Sequence, residues 1–147
     1  MKKLPITVLG LTMLFAFFIT TSKFSYSYQP HPAFLRALAD LRAARWMIEH
    51  KPGSWTQTGD ETQAVRDIDA AINEMKKKGV DDGKDIMDHP KVDEHNGHDE
   101  RLHEAVDFLK KAREDISHED NKFGRGLQLQ AYLHIDAAIE ALKKAFH

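Results

Sequence analysis

The stretch AVRDIDAAINEMKKK (residues 64–78) returns sixty-seven positions later as AYLHIDAAIEALKKA (residues 131–145). Eight of the fifteen positions are identical: Ala64/Ala131, Ile68/Ile135, Asp69/Asp136, Ala70/Ala137, Ala71/Ala138, Ile72/Ile139, Lys76/Lys143 and Lys77/Lys144. A second match precedes it in both halves, at an offset of sixty-eight. Residues 34–50 align with 102–118 through Ala37/Ala105, Leu41/Leu109, Ala44/Ala112, Arg45/Arg113, Ile48/Ile116 and His50/His118. Helices rich in Ala and Lys resemble one another by composition alone. The near-constant offset and the charged pairs Arg45/Arg113 and Asp69/Asp136 point further, to duplication of one supersecondary unit.

Each copy reads as two helices. Phe34, Leu38, Leu41 and Ile48 recur at helical steps, as do Val65, Ile68, Ile72 and Met75. The third stripe is Leu102, Val106, Leu109 and Ile116, and the fourth is Leu127, Ala131, Ile135, Ala138 and Leu142. Pro32 suits a first helical position, and the first helix stops before Pro52 and Gly53. Asp60 reads as the N-cap of the second helix, with Gln63 completing a capping box, and the third starts near Asn96. Every stripe is one-sided, so each helix needs a neighbour. The expectation is an all-α, antiparallel four-helix bundle of two duplicated hairpins, about 33–78 and about 96–146, joined by a linker over 80–95. A connection of that length is long for a bundle, and it is expected to lack regular structure and to cross one end.

The N-terminus has the layout of a secretory signal. Lys2 and Lys3 precede a nearly all-apolar run over 4–19, polar residues follow at Thr20, Thr21 and Ser22, and Ser25 and Ser27 suit cleavage before Tyr28, with Ser22 as an earlier alternative. An uncleaved anchor is the alternative, but the run falls short of the ~20 residues a span needs. Residues 28–147 are then one domain, periplasmic or secreted, with no membrane attachment once the signal is removed. Loss of three lysines makes this part more acidic than the full chain at −2, which disfavours nucleic acid as a partner. There is no cysteine, so stability rests on packing rather than disulfides.

The stretches HPAFLRALADLRAAR (31–45), DDGKDIMDHPKVD (81–93) and EDNKFGRGLQLQAYLHIDAAI (119–139) resemble a group of small exported bacterial proteins of unassigned function. The resemblance implies export and a helical bundle, and it carries no catalytic residues.

Candidate chemistry is sparse. After residue 27 only Ser54 and Ser117 remain as serines, and neither sits in a nucleophile elbow. No glycine-rich phosphate loop is present, and His103-Glu104-Ala105-Val106-Asp107 has Asp where a zinc-protease helix needs its second His. No catalytic residue is assigned, and the chain is read as a non-enzyme that binds a protein or envelope partner or a surface. The rival reading is a low-affinity transition-metal binder, and a third is an enzyme of a class whose residues the sequence does not name. His95, Asp99, His103 and Asp107 fall at successive steps of four, with His98 and His89 nearby, a donor set suited to Zn, Cu or Ni. The plainer alternative is the solvated face of a helix. Arg45 and Arg113 interrupt apolar stripes and need carboxylates, for which Asp69 and Asp136 are placed, as salt bridges or as a polar ligand pocket.

Overall fold

The computed structural model describes residues 31–50, 55–118 and 124–146, and the side chains of Gly124 and Leu127 are not among those described. The expected signal over 1–27 lies outside these residues. Four helices are present and, among the described residues, no strand: α1 Pro32–Glu49, α2 Gly59–Lys77, α3 His98–Ser117 and α4 Gly124–Ala145. None is long and apolar enough to cross a membrane.

The helix starts follow local chemistry. Pro32 opens α1, where its missing N–H has no partner to lose, and His31 Nδ1 accepts from Ala33 N at 3.3 Å. The N-cap of α2 is Thr58, not Asp60, and its hydroxyl accepts from Glu61 N at 3.1 Å. Thr58 wins because Asp60 and Glu61 then fall in the first turn, where negative charge suits the helix dipole. α3 begins at His98, two residues past the expected start, because Gly97 caps it and Glu100 Oε2 accepts from Gly97 N at 3.3 Å. Gly79 ends α2 with φ 82, and Val80 N reaches back to Met75 O at 3.1 Å, burying Val80.

The stripes meet in one core that includes Phe34, Leu41, Ile68, Leu109 and Ile135. α1 packs mainly on α3 and α2 mainly on α4, with lighter contact between α1 and α2 and between α3 and α4. Arg36, near the start of α1, reaches Asp115 near the end of α3 at 2.8 Å, and Arg101, near the start of α3, lies over Trp46 near the end of α1.

The connection between α2 and α3 is irregular, as its composition implies, but it does not cross one end. Asp82 meets Arg42, Met87 meets Arg45 and His89 meets Trp46, so the linker climbs α1 toward its C-terminal end. It leaves the last turn of α2 and delivers His98 to Glu61 in the first. Sixteen residues of helix at 1.5 Å each separate those turns, about 24 Å. The linker is long because it travels the bundle rather than an end of it.

Candidate functional site

Ala39, Arg42 and Trp46 follow one another at steps of three and four, so they share one stripe of α1, and His50 lies just past its end. This stripe faces the linker. Arg42 is 1% exposed, so its guanidinium lies in the interior. Asp82 takes it end-on: Nη1 donates to Oδ1 at 3.2 Å and Nη2 to Oδ2. Burial pushes the Asp82 carboxyl upward, but the Arg42 hydrogen bond and the Lys84 amide outweigh it and hold the group below its ordinary value. The Asp81, Asp82 and Asp85 side chains also accept amides of their own loop, which fixes its shape.

Between this stripe and the linker lies an open cleft of about 360 Å³, lined by Ala39, Arg42, Lys84, Asp88, His89 and Pro90. The His89 ring packs on Trp46 with centroids 4.7 Å apart, and its Nδ1 lies 2.7 Å from Pro90 O. Trp46 also stacks on His50 at 4.5 Å and carries the Arg101 guanidinium 4.9 Å from its ring centre. Arg101 is 4% exposed, and its Nε and Nη2 make no hydrogen bond. Burial lowers its pKa, opposed by the charges of Glu94 and Glu104. At the same end Glu61 is wholly buried, with Oε1 3.0 Å from His98 Nε2 and Oε2 unbonded, and Trp55 covers His98 at 3.9 Å.

The six residues considered for a metal do not converge. His95 lies before the α3 start, which breaks its step of four to Asp99, and among the described residues it pairs with Asp93. His103 stacks on Phe146, and its Nδ1 lies 2.7 Å from Asp99 O. Asp107 pairs with Lys110, His98 faces Glu61 and Asp99, and His89 belongs to the cleft. Among the described residues no three His, Asp or Glu side chains come together to hold a cation.

The repeated charges do meet. Arg45 Nε donates to Asp69 Oδ1 at 2.7 Å and Arg113 Nε to Asp136 Oδ1 at 2.8 Å. They differ in setting: Arg45 is 13% exposed and also binds Glu49, whereas Arg113 is 49% exposed and lies over Tyr132. The second pair is therefore a surface bridge, not a partly buried one, and neither lines the cleft. Sequence reading missed Arg42, whose signal was its position four residues after inward Leu38. No family model, curated protein or solved structure matches the chain.

Proposed function

We propose that this chain is a non-catalytic, exported binding protein, an antiparallel four-helix bundle of two duplicated hairpins whose binding face is the α1–linker cleft. The observation that carries the reading is Arg42. A guanidinium buried beneath a connecting segment and held to Asp82 turns that segment into a wall, and the wall creates the concave surface. Concave surfaces with a few placed polar groups are where ligands bind. The contacts between opposite ends of α1 and α3 support the antiparallel arrangement. The equivalent pairs Arg45–Asp69 and Arg113–Asp136 support duplication. The charged start and apolar run over 1–19 support export, to the periplasm or beyond. The cleft groups Arg42, Lys84, Asp88 and His89 include no nucleophile with an adjacent base, which favours binding over turnover.

The test is amide NMR of residues 28–147 against mixtures of small-molecule fragments. Shifts should gather at Ala39, Lys84, Asp88 and His89, with every bound compound recovered unchanged. Shifts confined to other faces, or conversion of a bound compound, would overturn the reading.

A further inference from the structure

Among the described residues four large apolar side chains are exposed: Trp55, Met87, Leu129 and Leu133. The two leucines stand one turn apart on α4, 58% and 57% exposed, so they share one face of that helix. The bundle does not require them there. Carried back along the sixty-seven-residue offset, the same positions of α2 are Thr62 and Arg66, and α2 packs into the same core without an apolar pair on that face. Gly126 and Ala137, on either side of the leucines, match Gly59 and Ala70 and are small in both copies. The second copy is thus apolar where the first is polar.

We infer that this face of α4 pairs with the same face of a second copy of the chain, antiparallel, across a two-fold axis at Leu133. Gly126, Leu129, Leu133, Ala137 and Glu140 follow one another at steps of three and four, and all five are exposed. They form a stripe about 21 Å long at 1.5 Å per residue. A two-fold axis at Leu133 sets that residue on its own copy, each Leu129 over the other Ala137 and each Arg125 beside the other Glu140. Arg125 is exposed, and Lys143 takes only Oε1 of Glu140, at 2.7 Å, which leaves Oε2 for it. The face is therefore basic at one end, apolar in the middle and acidic at the other, complementary to itself when reversed. A parallel pair sets Arg125 against Arg125 and Glu140 against Glu140, and it aligns the two helix dipoles. An isologous contact of this kind closes at two chains. Two leucines a side cover less than the about 800 Å² per partner of a standard interface, so the pair is reversible. α4 makes no contact with α1, so both α1–linker clefts stay open in it.

The experiment is sedimentation equilibrium of residues 28–147, which contain the whole core. Loading runs from about 10 µM to about 1 mM, the span in which a contact of this size populates both states. The mean mass should climb from one chain to two and stop there. Leu129→Thr with Leu133→Arg, which gives α4 the residues of α2, should weaken pairing by about tenfold or more with helix content unchanged by circular dichroism. Met87→Ala, a loss of exposed apolar surface on the linker, should leave pairing as it was. Arg125→Glu or Glu140→Arg alone should weaken it about tenfold, since two ion pairs become two repulsions, and the double change should restore it. One-chain mass throughout, growth beyond two chains, or equal loss in Met87→Ala overturns the inference. So does a double reversal that pairs no better than either single one, which would leave the leucines to something other than an antiparallel copy.

Discussion

Arg45 Nε donates to Asp69 Oδ1 at 2.7 Å between α1 and α2, while its Nη1 also binds Glu49 one turn along the same helix. The matching bridge, Arg113 to Asp136, has no such second carboxylate among the described residues and sits half in water. The two matching Arg–Asp pairs thus sit in two different dielectric settings.

The two settings give unequal costs. Asp69→Ala should destabilise the chain by about 1–2 kcal/mol, because it removes a charged hydrogen bond from a nearly buried Arg that keeps Glu49. Asp136→Ala should cost less than about 1 kcal/mol, as expected for an exposed pair. Urea denaturation of both variants checks the order, and equal costs would remove the distinction.

Asp82→Ala should cost more than either, about 2–4 kcal/mol, because it leaves the buried Arg42 guanidinium without its anion. Replacing Arg42 by Met in the same chain should recover much of that loss, since the stranded charge is gone. A double variant as unstable as the single one would show that the linker is held chiefly by other contacts.

A pH effect follows from Asp40. Burial, and then the charge of Asp115, push its carboxyl up to about 6, against Lys111 and Arg36. A raised acid binds more protons folded than unfolded, so its contribution falls as pH rises from about 4 to about 6. Asp40→Asn should therefore leave stability at pH 4 nearly unchanged and raise it at pH 7. Urea midpoints across that range read the effect, and a variant that loses stability at pH 7 reverses the sign.

Glu61 and His98 give a second buried pair. His98→Ala should destabilise by about 2–4 kcal/mol, since it removes the hydrogen-bond partner of a fully buried carboxyl group. Glu61→Gln added to it should recover part of the loss, because a neutral amide is less costly to bury. Thermal unfolding compares the pair, and a double variant worse than His98→Ala rules out the charge as the cause.

What was legible follows from periodicity. The stripes of Leu, Ile and Ala place four helices, because one-sided apolar faces leave no other way to be buried. Arg45, Asp69, Arg113 and Asp136 were visible because the repeat showed each of them twice. Arg42 was not, since its second-copy counterpart is Lys110, and one charge beside a stripe looks like an ordinary helix flank. The cleft was hidden for a different reason. It depends on the route of residues 78–97, and no periodic pattern encodes the path of an irregular segment. The His/Asp spacing misled because it extended a helical register back through His95, where Gly97 starts the helix anew.

The central claim is that the linker is a fixed wall along α1, and a distance distribution measures this directly. Spin labels at Lys91 in the linker and Glu114 on α3, both exposed, should give one narrow distribution by double electron–electron resonance. Its width should match that of a helix-only pair at Arg66 and Glu114, and Asp82→Asn should broaden the first pair and not the second. A broad Lys91–Glu114 distribution in the unaltered chain, unchanged by Asp82→Asn, would contradict the account.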